Sequence, residues 1–320
     1  MKSIDSGASV YSFGKKYGYL PYMIERYVEI LGEEETSKLL HFYEAKLTKV
    51  IRLNSLRSLY SETTKLLKEK KVELKDIPDI EEGKEIINSS IPIGATPEYL
   101  NGYYMLQGKN SMYPSKVLDP KEEEVVGDFA AAPGGKTTHL AQLMENKGNI
   151  IALEISANRC RSLKSNLARM GVKNVITLRM DTRNATALDI KFDKILLDAP
   201  CSGSGIIASD PTRKSSKILQ DIKEYHDYQF MLLEESVKSL KKEGEIVYCT
   251  CSLEPEENEL VISEILKKFD LSLVKLNIPG EPALSQFEDY KFHPEINLAK
   301  RLYPHKTNGE GFFIAKMVKI

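Results

Sequence analysis

From Val125 onward the chain alternates short apolar runs with amphipathic stretches, and no other feature limits its possible folds as tightly. The runs are Val125–Asp128, Asn149–Glu154, Val175–Arg179, Asp193–Asp198 and Glu245–Cys249. Helical spacing covers Gly135–Glu145, Ala157–Met170, Asp221–Leu240 and Glu256–Lys268. Apolar runs this short read as strands buried on both faces, which a parallel sheet covered by crossover helices provides. The alternation therefore predicts an α/β fold with a mostly parallel, doubly wound sheet. Ligands in such sheets bind beyond the carboxyl ends of the strands, so the residues that follow each run are the ones to read for chemistry.

One of these junctions stands out. In Lys194-Ile-Leu-Leu-Asp-Ala-Pro-Cys-Ser-Gly-Ser-Gly205 an apolar run gives way to an acid, a proline, a thiol and a glycine-rich loop. Pro200 cannot extend a strand ladder, so the strand ends near Asp198 and delivers Asp198 and Cys201 to the sheet's carboxyl edge. The second thiol junction is Tyr248-Cys-Thr-Cys-Ser-Leu-Glu-Pro-Glu-Glu-Asn258, where a strand passes into a helix opened by Pro255 and acids. A thiol near a helix start is biased toward thiolate, which makes Cys251 a candidate nucleophile. Cys249, within the strand, and Cys160, mid-helix, read as inert packing residues. The four cysteines form no C-x-x-C pair, which argues against a structural zinc site, and no metal is expected.

Lys+Arg at 45 against Asp+Glu at 46 gives a net charge of -1, so any nucleic-acid surface must be a local patch. No apolar run is long enough to cross a bilayer and Met1–Lys16 lacks the apolar centre of a signal peptide, which predicts a cytoplasmic protein without a membrane partner. Residues up to about Gly18 read as a loosely held terminus. Tyr22–Leu31 and Glu33–Tyr43 read as two helices separated by Gly32, Lys49–Asn54 as a strand, and Ser58–Lys71 as a third helix. These elements predict a small α+β module over residues 1–90. Its basic strand and helix read either as an RNA contact or as a structural cap. Proline, glycine and threonine cluster in Ile91–Pro97, and the larger domain is expected over 91–320. Tyr99–Gln107 and Ser111–Val117 read as short helical or looped segments.

Three strand ends suggest a nucleoside-containing ligand. Asp128–Thr138 carries Ala130-Ala-Ala-Pro-Gly-Gly-Lys136, small residues that let backbone approach a ligand and leave helix-start amides free. Glu154 follows Gly135 by 19 residues (154 − 135), where α/β nucleotide folds hold ribose hydroxyls. Asp181 stands just past the third strand, in reach of an adenine edge. Gly135-Lys-Thr137 also suggests a P-loop NTPase, but that pattern needs glycine at 130, where Ala130 stands, and Pro133 lacks an amide for a phosphate. No G-x-G-x-x-G follows the first strand either. S-adenosyl-L-methionine is the nucleoside ligand left, with its carboxylate near the glycine loop and its ribose on Glu154.

Ala131-Ala-Pro-Gly-Gly-Lys-Thr137, Asp198-Ala-Pro-Cys-Ser-Gly203 and Thr250-Cys-Ser-Leu-Glu-Pro-Glu-Glu-Asn-Glu259 resemble the signature motifs of the RNA cytosine-C5 methyltransferases of the Sun/Fmu type. So do Gly94–Tyr104, Arg301–His305 and Gly311–Ala315, and the resemblance runs from about Gly94 to the C-terminus. It departs at Ala130, where many members carry cysteine, and at Glu154, where aspartate is commoner. It implies a Rossmann-like S-adenosylmethionine-dependent domain preceded by a small RNA-binding domain. It also implies a Glu154–Arg159 pair at the cofactor, and Cys251 as the thiol that adds to carbon 6 of cytosine. Cys201 would then assist proton removal and release, Asp198 would serve nitrogen 3, and Lys136 would hold the base or Asp198. Such chemistry needs a thiol because carbon 5 of cytosine is a poor nucleophile until carbon 6 is attacked. Cys201 as the nucleophile is the rival, since DNA cytosine methyltransferases place theirs in a Pro-Cys loop. The target base must leave its stack, and Arg213 and Lys214 read as phosphate contacts or as part of a solvated loop. The compact archaeal branch that the chain resembles implies a monomer acting on tRNA, with ribosomal RNA as the alternative substrate. A catalytically silent RNA scaffold is the remaining reading, opposed by the two thiols and Asp198.

Overall fold

The computed structural model describes residues 9–45 and 47–320. The stretch expected to be a loose terminus contains a helix, α1 (Val10–Tyr17), capped by the Ser9 side chain at one end and by left-handed Gly18 at the other. The rest of that expectation, residues 1–8, lies outside the described residues. Helix α2 (Pro21–Glu44) is broken at Gly32, whose φ of 78° and ψ of 164° are not helical, so the two expected helices are present with a kink between them.

Strand β1 (Val50–Leu53) and α3 (Tyr60–Glu69) lie where expected. Strands β2 (Val72–Ile77) and β3 (Ile80–Ser89) form a hairpin rich in charge, which hid them from a hydrophobic reading. Past α4 (Pro97–Leu100), the segment read as helix or loop supplies β4 (Tyr104–Leu106) instead. The four strands form an antiparallel sheet in the order β2-β3-β1-β4, so this sheet takes its last strand from beyond residue 90. Tyr104 and Ile51 help to fill its core against Leu67 of α3.

After α5 (Tyr113–Leu118) the expected alternation follows: β5 (Val125–Phe129), α6 (Gly135–Leu143), β6 (Asn149–Glu154), α7 (Ala157–Met170), β7 (Val175–Arg179), β8 (Phe192–Asp198), α8 (Leu219–Ser239), β9 (Leu240–Thr250) and α9 (Val261–Lys268). These five strands are parallel in the order β7-β6-β5-β8-β9. Alternate residues serve opposite layers: Ile195 and Leu197 pack under Leu232, Val237 and Ile262, while Leu196 packs with Leu140 and Met144. The C-terminal part adds β10 (Leu271–Val274), β11 (Glu281–Pro282), β12 (Gln286–Phe287), β13 (Tyr290–Lys291), β14 (Lys300–Leu302) and β15 (Phe312–Lys319). Strand β15 runs antiparallel to β9, while β14 and β10 share its outer edge. The large sheet is thus mixed, as open α/β sheets with an antiparallel edge are. No helix among the described residues is long and apolar enough to cross a membrane.

Two features position the site. The chain leaves β5 toward β6 and β7 on one side and returns to β8 and β9 on the other, so the loops after β5 and β8 flank the switch point where crevices form. Helix α2 lies over the loops that follow β8 and β9, packing Tyr27, Leu40 and Tyr43 in one core with Ile207, Leu253 and Tyr303.

Candidate active site

Strand register explains why the two cysteine loops meet. Asp198 pairs with Cys249 across β8 and β9, so both loops leave the sheet side by side. The backbones then touch: Gly205 N donates to Cys251 O at 2.9 Å and Gly311 N donates to Gly205 O at 2.7 Å. A Cβ at Gly205 would lie 2.7 Å from Gly311 O and 2.8 Å from Cys251 O, a space open only to glycine. The outcome is a pair of sulfurs, Cys201 Sγ and Cys251 Sγ, 3.2 Å apart. The bond to Cys251 and burial push the Cys201 thiol well above the ordinary cysteine range.

Across the switch point Lys136 Nζ donates to Asp198 Oδ2 at 2.7 Å and lies 5.0 Å from the centre of the Phe312 ring. Burial opposes the Lys136 charge, but Asp198 and the neighbouring thiols favour it more and hold the ammonium above the ordinary lysine range. Cys249, expected to be inert, is fully buried but donates to Asp198 Oδ1 at 3.4 Å, so it belongs to the same group.

A cleft of about 310 Å³ opens over these residues. Its wall contains Ala130, Ala131, Ala132, Pro133, Gly135 and Lys136 of the loop after β5, together with Asp198, Cys251, Glu310 and Phe312. Gly134, Cys201, Glu154, Arg159 and Asp181 are not in that wall. Ala130 and Gly134 hold left-handed backbone, φ 68° and 101°, which turns the loop tightly from β5 into α6. Glu154 ends β6 as expected, with Oε1 accepting from Ser156 N at 2.9 Å. Its Oε2 is buried without a hydrogen-bond partner and 3.5 Å from Arg159 Nη1, so the expected acid–arginine pair is formed. An orphaned carboxylate oxygen at a strand end fits a ribose hydroxyl. Asp181 is otherwise engaged: Arg183 grips it through Nε at 3.0 Å and Nη2 at 2.6 Å.

Several residues of the site escaped the sequence reading. Asp128 lines the cleft with Oδ2 accepting from Thr137 Oγ1 at 2.5 Å and Oδ1 unpartnered, and burial pushes its carboxyl up to about 7. Glu257, inside the Thr250–Glu259 string, bridges the two cysteine loops, and burial pushes it up to about 7 against the pull of its donors. Arg52, part of the strand read as a basic RNA contact or cap, is fully buried under the glycine loop. It donates to Gly135 O and Thr138 Oγ1, both at 2.7 Å, and to Gln107 Oε1. Burial lowers it to about 9. Arg213 and Lys214, read as phosphate contacts, are also used internally. Arg213 Nη1 donates to Ser202 O at 3.1 Å and Nε to Asp210 at 2.9 Å, while Lys214 pairs with Glu44 at 2.7 Å.

The P-loop reading is not supported. The Thr137 hydroxyl that such a loop would turn toward a metal points into the core at Asp128, and Lys136 is committed to Asp198. The comparisons point elsewhere. A family model described as 16S rRNA methyltransferase RsmB/F matches residues 115–318, which include every loop of this site. The 28S rRNA (cytosine-C(5))-methyltransferase of Mus musculus is 40% identical over 309 residues, 95% of this chain and 39% of its own, so the chain spans about two fifths of that relative. The tRNA (cytosine(49)-C(5))-methyltransferase of Pyrococcus abyssi is 36% identical over 301 residues, 93% of this chain and 95% of its own. A crystal structure described as a methyltransferase homolog from Pyrococcus horikoshii superposes with a TM-score of 0.89 at 40% identity, covering 99% of this chain and 100% of that one. With its Rossmann-like sheet, its glycine loop and both cysteine loops inside the matched segment, the chain belongs to the RsmB/F methyltransferase family.

Proposed function

We propose that the protein methylates carbon 5 of a cytosine in RNA, and that tRNA is its substrate. The observation that carries the reading is the 3.2 Å contact of Cys201 and Cys251 beside the Lys136–Asp198 pair. The residues suited to hold S-adenosylmethionine are Ala130, Ala131, Ala132, Pro133, Gly134, Gly135, Glu154 and Arg159, with Asp181 available once Arg183 releases it. Bound there, that cofactor supplies an activated methyl group. Cys251 lines the cleft and Cys201 does not, so Cys251 is the thiol that adds to carbon 6. Asp198, steadied by Lys136, shares a proton with nitrogen 3 and so neutralises the negative charge that thiol addition develops there. Cys201 then serves removal of the carbon 5 proton, after which the bond between Cys251 and carbon 6 breaks and frees the base.

RNA bearing 5-fluorocytosine tests the roles, because fluorine blocks loss of the carbon 5 substituent and traps the adduct. Wild type and Cys201→Ala should form a covalent complex and Cys251→Ala should not; the opposite pattern reverses the assignment. The tRNA reading is supported by the Pyrococcus abyssi relative, which this chain matches over almost its whole length. Ribosomal RNA is the second reading, favoured by the 40% identity to the mouse rRNA enzyme. Mapping 5-methylcytosine in both RNA pools, with and without the protein, separates them.

A further inference from the structure

The two cysteine loops share one buried acid. Glu257 is 0% exposed, and each of its carboxylate oxygens takes two donors. Oε2 accepts from Ser202 N at 2.8 Å and from Gln229 Nε2 at 2.9 Å. Oε1 accepts from Ser252 Oγ at 2.7 Å and from Ser202 Oγ. Ser202 directly follows Cys201, and Ser252 directly follows Cys251. Gln229 of α8 also donates to Pro200 O at 2.8 Å, so both neighbours of Cys201 are tied to this acid. Tyr248 OH donates to the Glu257 carbonyl at 2.6 Å and pins the acid to β9. The two oxygens together take two hydroxyls, an amide and a backbone N–H, and a side chain without oxygen would leave the amide and the backbone N–H without this acceptor.

We infer that Glu257 is a positioning residue for the reaction: its carboxylate sets the loop after β8 against the loop after β9 and so holds the two sulfurs at reacting distance. The inference rests on reading Cys251 and Cys201 as the reacting thiols. In Glu257→Leu much of the bulk is kept, but Ser202 N–H and Gln229 NH₂ face an apolar group, two donors without their acceptor. The Cys201 loop must then shift.

Two readouts on the full chain test this. The first is methyl transfer: kcat in E257L should fall about a hundredfold, the cost of an ångström-scale misplacement of reacting groups. KM for RNA and for S-adenosylmethionine should stay within about threefold, since no substrate contact is removed. The second needs no RNA. Oxidised glutathione should join Cys201 and Cys251 as a disulfide, with glutathione reduced, and peptide mapping should show that joining at least about tenfold slower in E257L. Unchanged kcat and unchanged cross-linking in folded E257L overturn the inference, as does a loss of kcat with cross-linking at the wild-type rate. Slower cross-linking with full activity instead overturns the two-thiol reading on which the inference stands. If E257L does not fold, Ser252→Ala, which removes one hydroxyl donor beside Cys251, takes its place. Both rates should then fall about tenfold, and wild-type rates there overturn the inference.

Discussion

Arg301 and Glu259 offer the sharpest stability test. Nε and Nη2 of Arg301 each meet a carboxylate oxygen of Glu259 at 2.5 Å, and the two side chains are 1% and 0% exposed. Arg301→Met keeps most of the packing stem but leaves Glu259 with one neutral donor, Leu284 N at 3.0 Å. Removing one partner of a fully buried ion pair costs about 3–5 kcal/mol, because the remaining charge has lost both water and counter-ion. At an unfolding entropy of about 2.1 cal/mol/K per residue, a chain of 320 residues should lose about 4–7 °C of Tm. The double variant R301M/E259L removes the orphan, and most of the loss should return, since apolar replacement of a buried pair is often neutral. Arg301 Nη1 also donates to Leu253 O at 2.8 Å, two residues past Cys251. Methyl transfer should therefore stay below wild type in the double variant even where Tm recovers. Scanning calorimetry and a methyl-transfer assay on the three proteins read both effects. A single variant as stable as wild type, or a double variant no better than the single, would refute the argument.

Three further outcomes follow from the same geometry. Gly205→Ala puts a Cβ 2.7 Å from Gly311 O and 2.8 Å from Cys251 O, so the cysteine loops should part and kcat should drop by about two orders of magnitude, measured as initial methyl-transfer rate. Arg52→Met withdraws the donors to Gly135 O and Thr138 Oγ1 and should weaken S-adenosylmethionine binding about tenfold in calorimetry, about the value of one bond to a charged group. Asp128 has its carboxyl raised from 3.8 to about 7 by burial, so folding favours the protonated acid. That contribution is complete below the unfolded value and is lost as pH rises through about 7. Asp128→Asn cannot ionise, and the Tm gap between wild type and variant should narrow from pH 6 to pH 9; a constant gap would exclude a titrating Asp128.

How much of the site was readable depended on whether its parts are contiguous. Ala130–Lys136 and Asp198–Gly203 are continuous strings at strand ends, and their loop conformations follow from small residues and prolines within the string. The strand–helix alternation behind them was equally local, which is why β5 to β9 lie where the apolar runs predict. Elements stabilised by distant partners were hidden. Strand β4 is three residues that become a strand only by pairing with β1. Helix α1 owes its place to α2, where a Cβ at Gly14 would meet Ile24 at 2.7 Å. The strand holding Arg52 was read only as basic, an RNA contact or a cap, because nothing near it in sequence reports that Gly135 O and Thr138 Oγ1 will cover Arg52.

The sequence alone therefore determined the chemistry on offer: two thiols, an acid, a lysine and a glycine loop, each at a strand end of a parallel sheet. Tertiary structure decided which of them meet. The order β5-β8-β9 and the pairing of Asp198 with Cys249 bring Cys201 within 3.2 Å of a thiol fifty positions away (251 − 201) and Lys136 within 2.7 Å of Asp198. Packing of the long N-terminal helix likewise pairs Lys214 with Glu44, 170 positions away (214 − 44). The reason is physical: local sequence sets backbone propensity over a few residues, whereas distances between remote side chains are set by strand register and by the burial that fixes it.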